Sequence, residues 1–164
     1  MRVVLLILAA QGALGAFDTL WFHEWKARLP SRAEARVELS LHATRDFVYA
    51  VLFATFAWCT WEGTWAAVLI ALLAIEIAIT LADFVVEDRT RPLSAGERVT
   101  HALMGIVYGA FLGHALPEIS RWWRQPTGFG TVDHGWLSVV LTVMAAGVAL
   151  SGVRDSAAAL GRRQ

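Results

Sequence analysis

The chain has 164 residues, 14 basic and 14 acidic side chains, and 57% hydrophobic residues, with a mean hydropathy of +0.52. A soluble domain carries about 45–50% apolar residues, so a single integral membrane domain is expected, and the zero net charge gives nucleic acid no footing. The single Cys59 excludes an internal disulfide and a cysteine-rich zinc site.

Spanning a bilayer takes about 20 apolar residues, and five stretches approach or exceed that: Val3–Trp25, Val37–Trp61, Trp65–Val86, Val99–Leu116 and Trp136–Val153. The expected fold is therefore all-α, an integral membrane helical bundle of five transmembrane helices. Arg2 and the Ala13-Leu14-Gly15-Ala16 segment also suit a secretory signal, but the register match with the third stretch, described below, argues for a retained helix. Glu62-Gly63-Thr64 reads as a tight turn joining helices two and three. Pro117–Asp133 reads as a loop containing Pro117, Pro126, Gly128 and Gly130, with Trp122 and Trp123 as interfacial anchors.

Lys26, Arg28, Arg32 and Arg36 follow the first helix, Arg89, Arg91 and Arg98 follow the third, and Arg154, Arg162 and Arg163 follow the fifth. The other side of the membrane holds Arg2, Arg121 and Arg124. The positive-inside rule then places the N-terminus outside and the C-terminus in the cytoplasm, as expected for a bacterial inner-membrane protein.

The first four helices read as a two-fold repeat of hairpins, residues 1–61 and 65–116, followed by a fifth helix within residues 134–153. Glu38, His42 and Tyr49 share their spacing with Glu97, His101 and Tyr108, and these are the two tyrosines of the chain. Gln11 and Asp18 are seven apart, as are Glu76 and Asp83. Each unit crosses twice, so a pseudo-twofold axis along the membrane normal would relate the copies. The unpaired fifth helix packs on the outside or forms a homo-oligomer contact through Gly147 and Gly152.

Ionisable residues inside a bilayer are costly and face the bundle interior. Asp18, Glu38 and His42 from one repeat, with Asp83, Glu97 and His101 from the other, fall at matching depths toward the basic helix ends. Glu87 shares the face of Asp83, and His23 and Glu24 follow Asp18, so Glu87, His23 and Glu24 are further candidate ligands. Two histidines and four carboxylates on four helices form the ligand inventory of dinuclear carboxylate bundles. In architecture these six positions resemble the di-iron carboxylate four-helix-bundle proteins, although Glu and His here are four residues apart rather than three. The resemblance implies two divalent metal ions, iron first and manganese or zinc next.

Tyr49 and Tyr108 would lie deeper than the histidines, placed to bond a metal-bound water or a substrate oxygen or to carry a radical. Glu76, near mid-membrane opposite Gln11, suits a hydrogen bond across the axis, a proton path or a substrate pocket. Arg45 and Asp46 suggest an ion pair, and His114 and His134 suggest interfacial residues. The leading functional reading is a membrane di-metal oxidoreductase acting on a lipid-like or quinone-like small molecule, with membrane lipid as its surroundings. A zinc hydrolase, a haem protein with His42 and His101 as axial ligands, and a non-enzymatic metal carrier or membrane scaffold stand beside it.

Overall fold

A computed structural model describes residues 1–161. Arg162 and Arg163, counted in the charge asymmetry, lie outside the described residues. The chain forms α1 (Arg2–Asp18), a π-helical continuation over Thr19–Lys26, two short 3-10 turns, α2 (Arg36–Trp58), a strand β1 (Cys59–Glu62), α3 (Trp65–Thr90), α4 (Ala95–Trp123), a strand β2 (Gly128–Thr131) and α5 (Trp136–Leu160). Four of these helical segments, Arg2–Lys26, Trp65–Thr90, Ala95–Trp123 and Trp136–Leu160, are long and apolar enough to cross a membrane. The remaining helix, α2, carries Glu38, His42, Arg45 and Asp46 within its first half, which lowers its hydropathy.

Runs of Ala, Leu, Ile and Val make these segments apolar on every side, as helices in lipid are. The outward surface shows it: Leu20, Ile106, Val143 and Leu150 are 64–71% exposed, far more apolar surface than a monomer in water presents. Inside, Leu5, Leu8, Leu52, Phe53, Phe56, Leu69, Phe111 and Leu141 form a packed core. It fills the half of the bundle remote from the charged residues.

That remote end is closed by backbone pairing rather than by a simple turn. β1 pairs antiparallel with β2, from Cys59 opposite Thr131 to Glu62 opposite Gly128. Gly63 adopts φ 57° in the turn that follows and donates its N–H to the Trp122 carbonyl at 3.0 Å. Val132 N–H reaches the Trp58 carbonyl at 3.0 Å, and the Ser138 hydroxyl reaches the Ala57 carbonyl at 2.6 Å. The Met1 ammonium meets Glu118 at 2.8 Å. One end of every helix is thus joined to this clasp.

Three expectations are corrected here. The second helix stops at Trp58, not Trp61, because Cys59 turns extended and enters the strand pair. The segment Pro117–Trp123 is helix rather than loop. Proline's ring conflicts with the carbonyl four residues earlier, here that of Gly113, yet α4 continues through Pro117 to Trp123. Trp122 is consequently buried at 8% exposure, not an interfacial anchor, whereas Trp123 is 53% exposed. Finally, α5 packs intimately along α2. A Cβ at Gly152 would stand 3.2 Å from the Ala43 carbonyl, the Asp46 side chain and the Phe47 ring, so Gly152 serves close packing within the chain.

Candidate metal centre

The ends of α1, α2, α3 and α4 opposite the clasp bring their charged residues to one place. Asp18, His23, Glu38, His42, Asp83, Glu87 and Glu97 are all buried, and the His101 side chain is 11% exposed. Every candidate metal ligand in the sequence reading except Glu24 therefore meets the others.

The π-helical segment explains how His23 joins. An α-helix turns about 100° per residue, so a residue five positions on points about 140° away from the first. The i→i+5 bonds of a π-helix return it to the same face. The Ala27 N–H accordingly reaches the Phe22 carbonyl at 2.8 Å, and the His23 Nε2 stands 3.2 Å from the Asp18 Oδ2. On α3 the ordinary i→i+4 spacing suffices to set Glu87 on the face of Asp83.

Histidines and aspartates pair across the two hairpins. His101 Nε2 lies 3.2 Å from the Asp18 Oδ2, and His42 Nε2 lies 3.0 Å from the Asp83 Oδ2. Each pair thus joins an aspartate of one hairpin to a histidine of the other. Glu87 sits at the middle: its Oε1 is 3.8 Å from His23 and 4.0 Å from His42, and its Oε2 is 3.6 Å from His101. Two sets of ligand atoms result, each within 4.8 Å of one another: His23, Glu87, Glu97 and His101, and Glu38, His42 and Glu87. Such buried groups could hold metal ions, and Glu87 belongs to both.

Polar atoms are left over. Asp18 Oδ1, His23 Nε2, Glu38 Oε2, His42 Nε2, Asp83 Oδ1 and Glu87 Oε2 are buried without a hydrogen-bond partner. His23 and His42 thus approach carboxylates closely but without hydrogen-bond alignment. Buried polar atoms rarely stay unpaired, and six in one cluster call for a shared partner.

Two arginines answer part of the charge. Arg45 donates to the Asp83 Oδ2 at 3.1 Å, so its partner is Asp83 on α3 rather than the neighbouring Asp46. Arg91, in the turn after α3, reaches Glu97 at 2.7 Å, Glu38 at 3.0 Å and Glu87 at 3.4 Å. Burial works against its charge, but the hydrogen bond to Glu97 and the charge of Glu38 outweigh that and hold its pKa above the usual guanidinium value. Sequence reasoning places Arg91 in a basic surface loop and misses this role; the extended backbone at Arg91 turns it inward, and no spacing signals that. Glu97 is steadied by a capping box, its backbone N–H donating to the Ser94 hydroxyl while its Oε2 accepts the Ser94 N–H.

Tyr49 and Tyr108 face each other one layer deeper, ring centroids 6.4 Å apart. With Glu76, Gln11, Arg45 and His101 they line a cavity of about 190 Å³. The expected Gln11–Glu76 bond is not formed: Gln11 donates to the Tyr49 hydroxyl at 3.4 Å, and Glu76 accepts from the Thr80 hydroxyl at 2.9 Å. The Tyr108 hydroxyl is buried without a partner. Glu24 turns away to Arg154 at 2.9 Å, and His114 is exposed, bonded to the Ala110 carbonyl.

Comparison with known proteins finds no matching family model, no matching curated protein and no matching solved structure.

Proposed function

We propose that the cluster binds two divalent metal ions inside a five-helix membrane bundle, and that this centre performs redox chemistry on a lipophilic substrate. The observation that carries the reading is Glu87, common to two adjacent ligand sets, as a carboxylate between two metals would be. Asp18, His23, Glu97 and His101 would complete one side, and Glu38, His42 and Asp83 the other.

The charge balance supports it. Asp18, Glu38, Asp83, Glu87 and Glu97 face Arg45 and Arg91, so five carboxylates less two guanidiniums leave three negative charges uncompensated. Protonating all three histidines is a poor remedy, because His23 and His42 stack with ring centroids 4.5 Å apart and two imidazoliums would repel there, and protonating His42 and His101 alone would still leave one of the three charges unmet. Divalent cations supply the charge and also partner the orphaned atoms. A haem between His42 and His101 is disfavoured, since the ring of His23 stands beside both among carboxylates.

Carboxylate-rich ligation suits iron or manganese better than zinc. A redox-active pair of such ions supplies the electron transfer to or from the substrate when bound. The chain contributes a recess next to it, with the Tyr49 and Tyr108 hydroxyls to hold a substrate oxygen and the Glu76 carboxyl to take or give a proton. Elemental analysis and an absorption spectrum of the purified protein test this: about two irons per chain and no Soret band are expected. Zinc in their place would assign hydrolysis through an activated water, a Soret band would assign haem, and absence of metal would leave a network of ion pairs.

The crossed pairs also favour the repeat, since a twofold exchange of the hairpins turns Asp18–His101 into Asp83–His42. The basic loops favour a cytoplasmic position for the cluster. A reporter fused to the C-terminus is expected to be active in the cytoplasm; activity only outside would refute that orientation.

A further inference from the structure

A larger cavity, about 500 Å³, lies between α1, α2 and α5. That is within the range of small-molecule sites, about 300–1,000 Å³. Gln11, Arg45, Tyr49 and Met104 line both it and the smaller cavity beside Glu76 and His101. These four side chains form a shared wall next to the cluster. The larger space exists because α1 presents Ala13, Gly15 and Ala16 to it and α5 presents Gly147.

Its rim includes Leu20 and Leu150, which are 64% and 71% exposed. A ligand entering there passes apolar side chains facing lipid. Inside, Phe53, Tyr49 and the thioethers of Met104 and Met144 line the walls, and sulfur favours contact with aromatic rings. At the inner wall Gln11 is 5% exposed and already bonded to Tyr49, yet its Oε1 has no partner. Turning the amide would only move the deficit to its nitrogen. Arg45 lies there too but is committed to Asp83, Arg154 at the same cavity is paired with Glu24 and Asp155, and Asp46 lines the same space, so an anionic head group has no free countercharge.

We propose that this cavity binds a lipophilic phenol or quinol from the bilayer, with its aromatic head against Tyr49, Met104 and Met144, its hydroxyl on Gln11, and its hydrocarbon tail leaving between α1 and α5. The assignment of this molecule as substrate rests on the metal-centre reading, whereas its binding does not.

The probe is a radiolabelled decyl-substituted para-hydroquinone, with its dimethyl ether as the donor-free control, measured against the full chain in nanodiscs and corrected by empty nanodiscs. Saturable binding of about one equivalent is expected, about tenfold tighter than the ether, a typical consequence of one well-placed buried hydrogen bond. Gln11→Leu should erase the difference between the two probes. Gly147→Phe should weaken both at least tenfold, because a Cβ there meets nothing within 4 Å and the ring fills the cavity. Gly15→Leu, where only the Met104 Cε lies near, at 3.9 Å, is the second filling variant and should act alike. No saturable binding, or binding unchanged in both filling variants, would overturn the site. Equal affinity of the wild type for the two probes would overturn the head-group assignment. Metal content is read on the same samples: metal without binding sinks this proposal alone, and binding without metal sinks the metal-centre reading alone.

Discussion

Glu87→Ala is expected to remove both metal ions, whereas His42→Ala and His101→Ala should each remove one. Both carboxylate oxygens of Glu87 face ligand nitrogens, Oε1 toward His23 and His42 and Oε2 toward His101, so its loss breaks both ligand sets together. Outer-sphere substitutions at metal sites cost about 10–100-fold in affinity, and a shared ligand should exceed that. Metal titration of folded variants, with helicity as the folding control, reads the result. The sign of the stability change separates the alternatives. Glu87 stands among four other carboxylates and is the most distant of the three Arg91 partners, at 3.4 Å, so without metal its removal relieves more repulsion than the attraction it loses and should raise the unfolding temperature. If the protein as isolated becomes more stable on Glu87→Ala and loses no metal, the cluster is an ion-pair network and not a metal centre.

Arg91→Met should have the other large effect, and it should depend on metal. The guanidinium bonds three buried glutamates at 2.7–3.4 Å. Removing one partner of a buried ion pair typically costs about 3–5 kcal/mol, because the remaining charge is left uncompensated. Methionine keeps most of the packing volume, so the loss is mainly electrostatic. In chelator the variant should therefore unfold at a markedly lower temperature than the wild type. Bound divalent cations supply the missing positive charge and add their own linkage stabilisation, so the gap should shrink when metal is restored. A gap of equal size with and without metal would mean that the ions, if bound, do not compensate these glutamates.

Much of this centre is legible in the order of residues, and the reasons differ from one residue to the next. Glu38 and His42, like Glu97 and His101, are four apart and lie on one helical face whatever the tertiary context. Their recurrence at matching depth picks them out. Glu87 follows by the same rule from Asp83. His23 does not: five positions from Asp18 is the wrong face of an α-helix, and only the π-helical stretch Thr19–Lys26 turns it inward. In the second hairpin the α-register supplies a carboxylate at Glu87, where the first has Phe22 and uses the widened register to supply an imidazole instead. Arg91 is hidden because its placement depends on a loop backbone, and the pairing of Cys59–Glu62 with Gly128–Thr131 is hidden because it is long-range and joins segments too short to show a period. Pro117 misleads because a proline is read as ending a helix, whereas α4 runs through it to Trp123.

The strand pair at the far end has a mechanical meaning. Covalent turns and main-chain bonds bind the helices together there, while at the opposite tips the residues that meet are mostly charged side chains, helped by a small apolar patch of Leu29, Ala35, Leu39 and Ala159. The bundle is built like tongs, with a stiff pivot at Gly63 and Trp122 and a grip formed by acids and imidazoles. Both cavities lie along the arms, between pivot and grip, so any spreading of the tips would widen them while the pivot stays shut. Substitutions that loosen the grip are therefore expected to enlarge the room along the arms.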